Sequence, residues 1–169
     1  MACRTTQGKQ FTEKKKFKPY PIGYFHTDIA KVQTEEGKFY LFVDVDRTSK
    51  FAYTQLQAEV TRAATKEFLD HLIRSVPYKI HTILTDNGIQ FANRKKDRMA
   101  FMTPFDRICM QYDIEHRLTK VNHSCTNGQV ERINRTLKEA AVARYHYSCH
   151  EELKKHLHAF VLRITSRED

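Results

Sequence analysis

The stretch KFYLFVDVDRTSKFAYTQL, residues 38–56, holds two runs of aromatic and β-branched residues, 38–45 and 50–56. DRTS, the turn-forming tetrapeptide between them, predicts two antiparallel strands with a short connection. Upstream, IGYFHTDI (22–29) is a third run of the same kind, so an antiparallel meander is expected from about residue 22. Downstream the period changes. In TRAATKEFLDHLIRSV (61–76), apolar residues fall at 64, 68, 69, 72, 73 and 76, a helical stripe that Thr61 can cap.

KIHTILT (79–85) predicts a fourth strand, and the chain then runs into Asp86 within ILTDNGIQF (83–91). Two readings of Asp86 compete. Asn-Gly is a favoured turn dipeptide that a preceding Asp merely caps. A strand tip is also where a rigid sheet offers a ligand to a metal or a substrate. Residues 92–100, polar and basic, read as a loop. PFDRICMQY (104–112) starts with Pro and sets Phe105, Ile108, Cys109 and Tyr112 on one face, which predicts a helix. IEHRLT (114–119) is a short strand.

The last part is helical. In NGQVERINRTLKEAAVARYHY (127–147), Val130, Ile133, Leu137, Ala140, Ala141 and Arg144 share one side, and Glu131, Arg135, Lys138 and Val142 another. Leu153, Leu157, Phe160, Val161 and Ile164 stripe a further helix. The order βββαβαβαα implies an α/β fold, a mixed sheet covered by helices.

At 169 residues the chain suits one domain. With 40% hydrophobic residues, 5 Gly and 4 Pro, its composition is globular and not that of a disordered chain. No apolar run approaches the ~20 residues of a membrane helix, so a cytoplasmic protein without a membrane partner is expected. Four scattered Cys without a CxxC pair disfavour a structural zinc site or a disulfide framework. His146, Cys149 and His150 form a weak metal-binding cluster or, more simply, a solvated helix face.

The formal charge of +9 favours a polyanionic partner, most often nucleic acid. Residues 1–20 carry six Lys/Arg against one Glu and read as a flexible basic arm or a linker remnant.

Three acidic positions stand out: Asp28 and Asp86, each expected at a strand end, and Glu131 on the helix after CTNG. On its own, Glu131 is most simply an i,i+4 partner of Arg135. Together, however, TDNGIQF and TNGQVERINRTLKEA resemble the catalytic core of insertion-sequence transposases and retroviral-type integrases. FHTDIA is similar to that family's first acidic segment and FVDVDRTSKFAY to its second-strand signature. The resemblance runs from about Ile22 to Phe160.

It implies a ribonuclease-H-like fold, a mixed five-stranded sheet with helices on both faces, spanning residues 21–165. It also implies a catalytic and metal-binding triad of Asp28, Asp86 and Glu131. The 45-residue step from Asp86 to Glu131 exceeds the spacing in retroviral integrases, and the basic stretch 92–103 absorbs the excess.

Three carboxylates make a hard oxygen site for Mg²⁺ or Mn²⁺, and two such ions suit an in-line displacement on phosphorus. The implied function is DNA cleavage and strand transfer in transposition, acting on element ends and target DNA, as a homo-oligomer when active. Lys120, Asn127, Arg132, Arg135 and Lys138 are the expected DNA contacts. Asp44 and Asp46 are alternative acidic residues, Asp46 in a turn position.

Two departures qualify the pattern. Ser124 and Cys125 stand where the family usually has Pro and Trp, and VLRITSRED (161–169) lacks the usual continuation, so a core shortened at its C-terminus is expected. A catalytically silent remnant that binds DNA nonspecifically is therefore the alternative to an active transposase core. A ribonuclease-H-like nuclease without strand transfer is a third reading.

Overall fold

The computed structural model describes residues 20–93, 102–119, 128–139 and 147–165. Five strands form one sheet: β1 (Tyr24–Thr34), β2 (Gly37–Asp46), β3 (Ala52–Gln57), β4 (Thr82–Thr85) and β5 (Glu115–Leu118). Four helices are interleaved: α1 (Arg62–Ser75), α2 (Pro104–Gln111), α3 (Gly128–Lys138) and α4 (His150–Thr165). The order of elements is the expected βββαβαβαα.

In space the strands run β3-β2-β1-β4-β5. β1–β2 and β2–β3 are antiparallel, as the meander requires, while β1–β4 and β4–β5 are parallel. The sheet is therefore mixed, with helices on both faces.

Strand alternation assigns the faces. Phe25 of β1 and Ile83 of β4 pack with Leu69 and Leu72 of α1 and with Phe105 and Ile108 of α2. On the opposite face, Val32, Leu41, Val43 and Val45 pack with Leu137 of α3 and with Leu153 and Leu157 of α4. Among the described residues the helical stripes predicted these contacts except at Tyr112, placed on the apolar face of α2 but 42% exposed; the side chains of Val130, Ala140, Ala141, Arg144 and Ile164 lie outside them. Tyr112 falls at the C-cap, where the chain turns away from the core.

The helix starts follow from local chemistry. Thr61 accepts from the N–H of Ala64. In TPFD, Thr103 and Asp106 form a reciprocal capping box with Pro104 in the first turn.

One glycine ties three strands together. Gly23, with φ of +98°, donates its N–H to Asp46 Oδ2 at 2.7 Å. Its carbonyl accepts from His81 and Thr82 at 2.9 and 3.2 Å, so it meets the approach to β4. A Cβ there would lie 2.3 Å from the carbonyl oxygen of Lys79. Gly23→Ala therefore combines a left-handed backbone with a backbone clash. It is expected to destabilise the fold by about 2 kcal/mol or more, read from urea denaturation. A change under ~0.5 kcal/mol would show that the knot is not tight.

Candidate metal and DNA site on the sheet

The first strand is longer than its sequence suggested. β1 continues to Thr34, so Asp28 lies inside the strand and not at its end. The extension comes from register: β1 and β2 pair continuously from Phe25↔Asp46 to Thr34↔Gly37. Asp28 sits opposite Val43, on the face covered by α3 and α4.

Asp86 follows directly on β4 and is exposed. The β1–β4 register reads Tyr24↔Thr82, Phe25↔Ile83, His26↔Leu84. The ladder ends there, two residues short of both Asp28 in β1 and Asp86, the residue after β4. Parallel pairing thus makes neighbours of the two strands that carry or precede these acids, which lie 58 residues apart in sequence.

The turn-capping reading of ILTDNGIQF holds. Asp86 Oδ1 accepts from the N–H of Gly88 at 2.9 Å, a turn-capping contact, while the residue stays open to solvent. Asn87 Nδ2 donates to the carbonyl of Thr119, at the end of β5, at 2.6 Å. Phe91 returns to the core against Phe105, with ring centroids 5.2 Å apart. From α1, Arg62 donates to the carbonyl of Ile89 and to Asn93 Oδ1. The loop that carries Asp86 is held at both ends.

A cation already occupies part of this face. Lys138 Nζ of α3 donates to Asp28 Oδ2 at 2.6 Å, with both side chains a little over one-third exposed. Glu131 lies on the same helix seven residues earlier. Seven residues are close to two full turns, so Glu131 and Lys138 sit on one face of α3, about 10.5 Å apart along the axis. Ile133 and Leu137 fix that rotation by packing on the sheet.

Arg132 and Arg135 are exposed, and Arg135 Nε lies 3.9 Å from Glu139 Oε1. Lys120 and Asn127 fall outside the described residues. Among the described residues no cluster of three His, Cys, Asp or Glu side chains forms a metal site.

The alternative acidic residues are accounted for by structure. Asp46 accepts from the N–H groups of Gly23, Thr48 and Ser49 and so closes the β2–β3 turn. Asp44 is on the other face of the sheet from Asp28, beside Phe42 and the helix α1 side. It is fully buried and accepts from Thr27 Oγ1 at 2.5 Å. Burial pushes its carboxyl up to about 7, against the lowering effect of the Thr27 hydroxyl. It cannot join a cation site with Asp28.

His150 is likewise committed: its ring contacts Glu36 and Thr34 and packs against Phe39, fastening α4 to the β1–β2 turn.

A model of the integrase core domain matches residues 18–124 of the chain. The chain belongs to the integrase core domain family. The match takes in Asp28 and Asp86 and stops short of Glu131.

Among solved structures, this integrase core is similar to the catalytic core domain of BIV integrase, at 19% identity and a TM-score of 0.64. That alignment covers 88% of this chain and 87% of that one. It is also similar to the HTLV-2 integrase catalytic core domain in complex with magnesium, at 22% identity and a TM-score of 0.62, covering 83% and 84%. An integrase chain of the simian T-cell lymphotropic virus intasome, in complex with the PP2A regulatory subunit B56 gamma, aligns at 21% identity and a TM-score of 0.62. There the coverage is 81% of this chain and 47% of that one.

These likenesses confirm the fold expected from the sequence. A Caenorhabditis elegans relative, "Uncharacterized protein K02A2.6", is 30% identical over 99 residues. That is 59% of this integrase core and 7% of the relative, so the chain corresponds to a small part of that protein.

The sequence reading missed one set of side chains beneath the site. Thr85 is fully buried and lies 2.8 Å from His116 Nε2, and His116 Nδ1 lies 2.6 Å from Asp106 Oδ1. Its signal was the Thr-Asp doublet in both FHTDIA and ILTDNG, since alternation turns each Thr to the face opposite its Asp.

Proposed function

We propose that this integrase core carries out metal-dependent DNA strand cleavage and strand transfer, with Asp28, Asp86 and Glu131 as the catalytic metal-binding carboxylates. The observation that supports the reading is the parallel β1–β4 pairing, which runs toward Asp28 and Asp86, with a Lys138 ammonium already on Asp28. An ammonium held at 2.6 Å marks a point where the local field favours a cation. The donor set of hard, solvent-reachable carboxylate oxygens fits Mg²⁺ or Mn²⁺.

A bound pair of such ions would supply charge neutralisation at both the attacking and leaving oxygens of phosphoryl transfer. The chain's own part is positional. In this reading β1 carries Asp28, the tip of β4 presents Asp86 and α3 carries Glu131. Lys138, released from Asp28, would be free to meet a DNA phosphate, joined by Arg132, Arg135, Lys120 and Asn127. The HTLV-2 core has been seen with magnesium and in dimeric and trimeric forms, which supports a metal and a homo-oligomer here too.

The test is a DNA nicking and joining assay with Mn²⁺ or Mg²⁺ and the element ends. Wild type is expected to cut or join, and Glu131→Gln to be inactive with its DNA affinity intact. If both are equally inert with correct ends, the core is a silent remnant that only binds DNA. If both cut equally, the assigned carboxylates are wrong.

DNA binding itself is expected to be electrostatic. Affinity should fall steeply with salt and discriminate little between sequences. Residues 1–19 hold six Lys/Arg, so their deletion should lower affinity and reduce the slope of log K against log salt by up to about 5. An unchanged slope would remove the arm from the interface.

A further inference from the structure

The Asp86 carboxylate stands on a backbone that is gripped from behind. Thr85 Oγ1 donates to the carbonyl of Asp86 at 3.0 Å and lies 2.8 Å from His116 Nε2. A hydroxyl has one proton. Spent on the Asp86 carbonyl, it leaves Thr85 to accept from His116 Nε2–H, and a ring that also gives Nδ1–H to Asp106 is then the doubly protonated imidazolium.

The other ring nitrogen of His116 is 2.6 Å from Asp106 Oδ1. Asp106 is itself immobilised, because its Oδ2 accepts from the hydroxyl and the N–H of Thr103 at 2.7 and 3.3 Å. Burial works against ionisation of Asp106, yet the hydrogen bonds from His116 and Thr103 outweigh it and hold the carboxyl below its usual range. The His116 side chain is 8% exposed and its ring packs 4.9 Å from that of Phe105. The result is a chain from the first turn of α2, through β5, to the tip of β4.

We propose that His116, oriented by Asp106, is a positioning residue that fixes Thr85 and the Asp86 backbone from the reverse face and so sets where the Asp86 carboxylate meets a divalent cation. The proposal rests on the metal reading above. It deepens that reading by naming residues that never touch the cation. Side chains that orient a ligand from outside the coordination sphere commonly control metal affinity by 10- to 100-fold. Three features point the same way here: the Thr is buried, the His is nearly so, and each partner's hydrogen-bonding capacity is directed along the chain toward Asp86.

The experiment measures Mn²⁺ affinity of the whole chain by electron paramagnetic resonance of free Mn²⁺, with thermal melting and DNA affinity in EDTA recorded alongside. Asp86→Asn serves as the reference for loss of the site. His116→Phe keeps an aromatic body against Phe105 but has no donor for Thr85; it is expected to weaken Mn²⁺ binding about 10-fold. His116→Gln places an amide donor near the former Nε2 and is expected to restore most of the affinity. Thr85→Val should lose as much as His116→Phe, and the double variant no more than either alone.

Wild-type affinity in His116→Phe, equal weakness in Phe and Gln variants of similar melting temperature, or additive losses in the double variant would each overturn the inference. Should Asp86→Asn bind Mn²⁺ as well as wild type, the metal reading itself fails and this inference falls with it.

Discussion

Asp28→Asn is expected to eliminate metal-dependent strand cleavage while strengthening DNA binding in EDTA. In the proposed role, loss of a carboxylate that holds the ions would forfeit several kcal/mol of charge stabilisation in the transition state, a rate loss of about 10³ or more. The gain in affinity has a separate origin. Lys138 now spends its ammonium on Asp28 at 2.6 Å, and the amide releases it while removing one negative charge from the DNA-facing surface.

An affinity rise of a few-fold at low salt, shrinking as salt is added, is the expected signature. In a Lys138→Met background that rise should be smaller. Lost cleavage with unchanged or weaker DNA binding would mean that Lys138 is not held back from DNA by Asp28.

The second large effect concerns a carboxyl that does no chemistry. Asp44 is fully buried and its pKa is raised from the ordinary 3.8 to about 7, chiefly by burial. A group that binds its proton more tightly when folded stabilises the fold below about pH 4 and loses that contribution as pH rises toward 7. The difference amounts to about 4 kcal/mol once the carboxyl ionises in both states.

Asp44→Asn keeps an oxygen for the Thr27 hydroxyl and cannot ionise. Its stability relative to wild type should be near zero at pH 4 and rise to about 4 kcal/mol at pH 8, roughly 10 °C in melting temperature. Parallel pH profiles of the two proteins would show that Asp44 is charged in the fold at little cost.

The fold was largely legible because hydrophobic period is a local signal. The stripes at Ala64, Phe68, Leu69 and Leu72, and at Leu153 and Leu157, fall on the sides that pack against the sheet. Strand extent was less legible. Residues 30–34, AKVQT, alternate with exposed positions and look polar, and only the ladder to β2 shows them to be strand.

The grouping of Asp28 with Asp86 was suggested by resemblance alone, because parallel register is a long-range property. Which face each acid takes follows from the β1–β2 register: Thr27 pairs with Asp44 and shares its face, which turns Asp28 to the other. His116 could not be found this way. Its role depends on Asp106 and Thr85 arriving from two other elements, and nothing in IEHRLT by itself announces that meeting.

The most direct test of the account is the position of a metal ion. Crystals of the full chain soaked in Mn²⁺ should show anomalous density in contact with the carboxylates of both Asp28 and Asp86, with the Lys138 ammonium moved off Asp28. Anomalous density elsewhere, or none near Asp28 and Asp86 with the Lys138–Asp28 contact intact at saturating Mn²⁺, would contradict it.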